Sequence, residues 1–167
     1  MMKDEKHMDP IEKRARELLK ERGVELKDIA DLVYYLQCKY HDDLKIEDCL
    51  ENIERVLSKR EVQNAVITGI ELDILAEKKL VSEPLLTTLL NDEGLYGVDE
   101  IIALSIINVY GSIGFTNYGY IDKQKPGILE KINEHQEGVC NTFLDDIVGA
   151  IAAAASSRLA HRAKNVE

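Results

Sequence analysis

The sequence predicts an all-α protein, and two observations carry that reading. Apolar residues recur at helical spacing in one segment after another, from Ile11 to Ala155. No stretch alternates apolar and polar residues between hairpin turns, as a sheet would require. A length of 167 residues suits one domain, or one domain with an appendage, and the pattern predicts a single compact bundle of six to eight helices. Residues 1–8 read as a disordered tail, 9–60 as an N-terminal helical part of the same domain, and 61–167 as the helical core.

Asp9-Pro10 opens the first helix as a cap followed by proline at the first helical position. Ile11, Ala15, Leu18 and Leu19 form its stripe, and Gly23 ends it. The second helix, near Glu25 to Cys38, carries Leu26, Ile29, Ala30, Val33 and Leu36 inward, with Tyr34 and Tyr35 turning their hydroxyls toward water. A third runs from about Ile46 to Leu57, and a longer fourth from Glu61 to about Lys79. In the fourth, Glu71 and Asp73 interrupt an otherwise regular apolar pattern. Glu83-Pro84 opens a short fifth helix through Leu90. Val98 to Tyr110 is the most apolar segment before residue 140. Its Ile and Val content also suits a strand, but its length and helical neighbours favour a helix. Tyr110 to Gly127 is glycine-rich and reads as irregular, and helices over Ile128–Glu134 and Phe143 to about Lys164 complete the chain. Arg158, His161, Arg162 and Lys164 in the last turns suit the negative end of that helix's dipole.

With 45% apolar residues the chain suits a globular protein. A net charge of −10 argues against nonspecific nucleic-acid binding, which needs Lys and Arg to neutralise phosphates. It also argues against adhesion to anionic membranes, but leaves room for a cation that bridges to a phosphate. Cys38, Cys49 and Cys140 are scattered and form no C-x-x-C, which fits a reduced, cytoplasmic setting with thiols as small core residues. The charged N-terminus lacks an apolar signal core. The longest strongly apolar run, Ile147 to Ala155, falls far short of the roughly 20 residues that a membrane helix needs. His41, His135 and His161 lie beside charged residues, as solvated side chains do.

The chain is organised around Asn141 to Ser157, where Asp145 and Asp146 open an alanine-rich apolar segment. At helical period Asp145 stacks above Gly149, Ala152 and Ser156, and Asp146 above Ala150, Ala153 and Ser157. Each acid thus heads a face with almost no bulk, open to close approach by a ligand or another backbone. Two readings stand side by side. Thr142 and Asp145 have capping-box spacing, and acids in a first turn suit the helix dipole. Alternatively, the pair is half of a metal-holding pocket. Asp73, Glu100 and Asp122 are the other candidate ligands, since hard oxygen donors suit Mg²⁺ and a set without thiols is poor for zinc. Val98-Asp99-Glu100-Ile101-Ile102 echoes Leu144-Asp145-Asp146-Ile147-Val148, so two adjacent helices would bring acids together. For phosphate, the candidates are the backbone and hydroxyl of Gly111, Ser112 and Gly114, with Asn117 and Tyr118 as donors and Lys123 and Lys125 as nearby charges. The competing role for those glycines is to relieve close helix packing.

Tyr110-Gly111-Ser112-Ile113-Gly114, followed by Leu144-Asp145-Asp146-Ile147-Val148-Gly149, resembles the phosphatidylglycerophosphatase A family, in its small soluble Gram-positive branch. The resemblance covers about Gly69 to Ala163, with the helices before residue 60 as an addition. It implies an all-α fold and Mg²⁺-dependent release of the terminal phosphate of phosphatidylglycerophosphate. Asp145 and Asp146 would then act in catalysis and hold metal, and Gly111 to Gly114 would lie along the phosphate. The membrane members' proline–glycine–threonine loop and transmembrane helices have no counterpart here. The expected substrate is therefore a phosphorylated small molecule, or a lipid headgroup reached from the surface. The rival expectation is a non-catalytic homo-oligomeric module, with Gly149, Ala152 and Ala153 as the subunit seam.

Overall fold

The computed structural model describes residues 8–164, with side chains through His161. Residues 1–7 of the expected tail, His7 among them, and the side chains of Arg162 and Lys164 lie outside the described residues. All regular structure among the described residues is helical. In chain order the helices are α1 (Pro10–Glu21), α2 (Leu26–Gln37), α3 (Ile46–Leu57), α4 (Arg60–Glu77), α5 (Leu85–Leu90), α6 (Val98–Ile107), α7 (Ser112–Gln124), α8 (Ile128–Asn133) and α9 (Leu144–Lys164).

Local chemistry sets the ends. The Asp9 carboxylate accepts the Ile11 N–H at 2.9 Å, with Pro10 placed where no donor is missed. Arg60 then clamps both Asp9 oxygens at 3.0 Å, which ties the start of α4 to the start of α1. In α2 and α3 an acid in the first turn reaches back instead. Asp28 accepts from the Glu25 N–H at 2.8 Å, and Asp48 from the Lys45 N–H at 3.0 Å.

The segment read as irregular is helical in its middle, as α7. Only its outer glycines serve a turn: Gly111 at φ +81° and Gly127 at φ +58°. Gly114 sits inside the helix, where a Cβ would come within 2.8 Å of the Ile107 side chain. That glycine lets α7 lie close to the end of α6, and the buried Tyr118 and Ile121 supply packing that offsets the low helix propensity of glycine.

α9 is the axis of the molecule. From Thr142 to Ser157 every residue is buried, because α2, α3, α4, α6, α7 and α8 all pack against it. A helix surrounded in this way has no polar face to keep, which accounts for its apolar, alanine-rich sequence. α7 runs antiparallel to it: Ser157 donates to the Tyr110 carbonyl at 3.0 Å, while the far end of α7 meets Asp145.

At Gly69, α4 comes close to the start of α9, where an added Cβ would overlap the Ile147 side chain and lie 3.0 Å from the Cβ of Phe143. Gly69→Ala is expected to cost about 1–3 kcal/mol through overpacking. Gly149 offers a matched control, because a Cβ there would meet Ile121 and Tyr118 at an ordinary 3.7 Å. Gly149→Ala should lie within about 1 kcal/mol of the wild type by urea denaturation. The small face of Gly149, Ala152 and Ala153 is thus fully occupied within one chain, and the seam expected there is internal packing. No described helix is long and apolar enough to cross a membrane.

Candidate functional site

Helical period places Tyr118, Asp122 and Lys125 on one side of the C-terminal half of α7, against the start of α9. Asp122, Asp145 and Asp146 each present a carboxylate oxygen within 4.8 Å of the others. Lys125 leaves α7 in the left-handed conformation, φ +46°. Its ammonium lies 2.7 Å from both Asp122 Oδ1 and Asp145 Oδ2. Tyr118 donates its hydroxyl to Asp146 Oδ1 at 2.9 Å in the interior. Asp145 and Asp146 are 7% and 6% exposed, so two adjacent carboxyls are held almost out of water.

The electrostatics follow from that burial. Desolvation, then the charge of Asp145, pushes the Asp146 pKa up to about 8, with the Tyr118 hydrogen bond pulling the other way. Burial also raises Asp145, against the pull of Lys125. Burial disfavours the Lys125 ammonium, but Asp145 and Asp122 outweigh it and hold its pKa above the ordinary value. Burial and the neighbouring Asp146 keep the Tyr118 phenol protonated. The three acids therefore meet one ammonium and one neutral donor, an excess of negative charge made of hard oxygen atoms.

Two further acids edge the group. Asp99 is buried at the start of α6, and its charge bears on both Asp146 and Asp92. Shelter of its carboxyl, then the charge of Asp99, raises the pKa of Asp92, which stands in the turn after α5 at φ +47°. Asp92 and Asp145 both line a cleft of about 310 Å³, together with Asn91, His135, Asn141 and Thr142. The cleft is at the small end of the range for ligand pockets, and its lining is more polar than is usual for them.

Two of the expected ligands are placed differently. Asp73 is fully buried but occupied: its oxygens accept the N–H groups of Phe143 at 3.1 and 3.2 Å and of Leu144 at 3.0 Å. It caps α9 from outside that helix, a role that spacing along the chain does not reveal. Glu100 is exposed on α6, and its neighbour Asp99 turns inward, since one residue rotates a helix by about 100°. Glu71 pairs with Arg14 at 3.0 Å on the surface.

The expected phosphate residues also divide. Gly111, Ser112 and Gly114 stand at the opposite end of α7 from Asp122, about 15 Å away by helical rise. Asn117 is half-buried next to Tyr118, and Lys123 is exposed. Lys125 is the lysine that enters the site. The sequence named it with Lys123 as a nearby charge, and the proline that follows it is the signal that sets it apart from Lys123. Asp92 gave no such signal, because an acid between Asn91 and Gly94 reads as an ordinary turn residue.

The model of a family described as Phosphatidylglycerophosphatase A matches residues 19–161, a span that takes in α2 and α3 as well as the site. The YutG protein of Bacillus subtilis is 64% identical over 99% of this chain and 100% of its own length. A solved structure of the low temperature requirement C protein from Listeria monocytogenes is 65% identical, with a TM-score of 0.92 over 93% of this chain and 98% of that one. A solved protein from Bacillus stearothermophilus is 69% identical, with a TM-score of 0.90 over 96% of this chain and 99% of that one.

Proposed function

Because this chain belongs to the phosphatidylglycerophosphatase A family, we propose that it is a divalent-metal-dependent phosphatase acting on a phosphate monoester. The substrate is a lipid-related headgroup such as that of phosphatidylglycerophosphate, reached from outside the bilayer. The observation that carries this reading is the meeting of Asp122, Asp145 and Asp146 within 4.8 Å beside a polar cleft.

The residues suit a hard cation. Their donor set is all oxygen, which fits Mg²⁺ and gives no grip to a soft metal. Three carboxyl groups face a single ammonium, and burial first, then the charge of Asp145, raises the Asp146 pKa. Asp122, Asp145 and Asp146 would hold the ion, and when bound it supplies charge neutralisation and Lewis-acid polarisation to a phosphoryl oxygen. The rest of the chemistry belongs to the chain. Tyr118 fixes the Asp146 carboxyl through one oxygen and leaves the other free. The cleft, lined beside Asp92 and Asp145 by Asn91 and His135, would receive the ester's organic half. Asp92, at the cleft edge with Asp145, would take the proton of the attacking water. The water oxygen would bond to phosphorus as the ester P–O bond breaks, and the proton taken by Asp92 would pass to the departing alkoxide.

Phosphate release from a panel of monoesters tests this reading, with phosphatidylglycerophosphate in mixed micelles among them. Release should require Mg²⁺ or Mn²⁺, stop on chelation and return when the ion is restored. A purified protein that binds neither ion and turns over no monoester would sink the proposal. It would favour the non-catalytic reading, in which Lys125 simply neutralises a structural acid cluster.

A further inference from the structure

We infer that Lys125 exchanges partners: it neutralises the acid triad when no cation is present, and grips the substrate's phosphate once a cation takes the triad. This rests on the function proposed above and assigns a substrate-contacting role to a residue outside the acid set. The Lys125 ammonium makes 2.7 Å contacts to Asp122 Oδ1 and Asp145 Oδ2, two of the carboxyl groups that would hold the ion. Two positive centres cannot share those carboxylates at contact distance without strong repulsion, so an arriving cation displaces the ammonium. The displaced group does not go far. The Lys125 side chain is only 25% exposed, and it is anchored at a left-handed backbone position between α7 and Pro126. A flexible four-carbon stem keeps its charge beside the acids, where the remaining oxygens of a bound phosphate would lie.

The electrostatics make the exchange ordered. With no cation, Lys125 is engaged by two carboxylates in a cluster whose net charge is negative, and a phosphate finds no free positive group there. With the cation in place, the ammonium is released from the acids and both positive charges face the ligand. Lys123, two residues earlier, is exposed on the helix and serves as a control for bulk charge.

Isothermal titration of the full chain with Mn²⁺, and then with inorganic phosphate, reads both halves. The wild type should bind phosphate only when Mn²⁺ is present. K125M should bind Mn²⁺ at least as tightly as the wild type, because its competitor is gone. In the presence of Mn²⁺, K125M should lose about tenfold or more in phosphate affinity, the value of one charge-assisted hydrogen bond. K125R should recover part of that loss, and K123M should match the wild type. The denaturation midpoint of each variant checks that it folds, and K125R carries the comparison if K125M does not. Weaker Mn²⁺ binding by K125M, or unchanged phosphate binding, overturns the exchange while leaving the metal site intact. Failure of the wild type to bind Mn²⁺ overturns the exchange and the proposed function together.

Discussion

Asp73→Ala should be among the most destabilising single changes in the protein, on the order of 3–5 kcal/mol, with a melting point lower by about 10 °C or more. The carboxylate accepts the N–H groups of Phe143 and Leu144, and the Cys140 thiol lies 3.6 Å from one of its oxygens. These are donors at the first turn of α9, where a helix has no internal acceptors. Alanine would leave two backbone N–H groups unpaired at a site with 0% exposure, and each such orphan costs about 1–3 kcal/mol. Asp73→Asn keeps an acceptor oxygen and should lose about half as much. Thermal and urea denaturation of both variants would measure this. Equal small losses would mean that α9 does not rely on Asp73. Because Asp73 is committed to α9, Asp73→Asn should leave Mn²⁺ affinity within a few-fold of the wild type, a result that a direct metal ligand would not give.

The same region explains how far the sequence could be read. Helices α1 to α5 follow from apolar spacing, caps and breakers that act within a few residues. The acid pair at the head of α9 stood out because a charged dipeptide opens an apolar segment, and Asp122 was one of several acids that interrupt or open apolar segments. What could not be read depends on rotation and distance. Asp99 and Glu100 are neighbours in the chain, but the packing of α6 on α9 decides which one turns inward. Asp73 and Asp146 are both buried acids with pKa values pushed up to about 8, yet one binds backbone and the other faces a cluster. The glycines of Tyr110 to Gly127 were ambiguous for a related reason. Glycine permits both a phosphate loop and a tight helix contact, and only the proximity of Gly114 to Ile107 separates them.

The support around the site belongs to the scaffold. Arg22, just past α1, holds Glu77 at the end of α4 and donates to the Cys140 carbonyl and to Asn141 Oδ1, each at 2.8 Å. Glu77 in turn accepts the Cys140 N–H at 2.8 Å. Burial works against the Glu77 anion, but Arg22 prevails and lowers its pKa. Together with Asp73, this network fixes the turn that leads into α9, and so fixes the height at which Asp145 and Asp146 meet α7.

Asp146→Asn should separate stability from activity. The substitution keeps an oxygen that accepts the Tyr118 hydroxyl, so the packing around it persists. It removes a carboxyl whose pKa rises from 3.8 to about 8 on folding, through burial first and the charge of Asp145 second. Between those two values the unfolded chain has released a proton that the folded chain retains. For this group, stability is therefore full below about pH 4 and is lost as pH climbs through about 8. Without a divalent ion, the wild type should become less stable from pH 5 to pH 8 relative to Asp146→Asn, and the variant should be the more stable at pH 8. Mg²⁺ should raise the wild-type midpoint at pH 8 by binding the folded form alone, and should move the variant far less. Phosphate release should fall by about a thousandfold in the same variant, as expected when several kcal/mol of transition-state charge stabilisation is lost. Urea denaturation at the two pH values, with and without Mg²⁺, measures the stability half. A wild type whose stability holds or rises toward pH 8 beside the variant would show that burial and the charge of Asp145 do not raise the Asp146 pKa. A buried acid that ionises freely there would remove one of the grounds for reading the triad as a cation site.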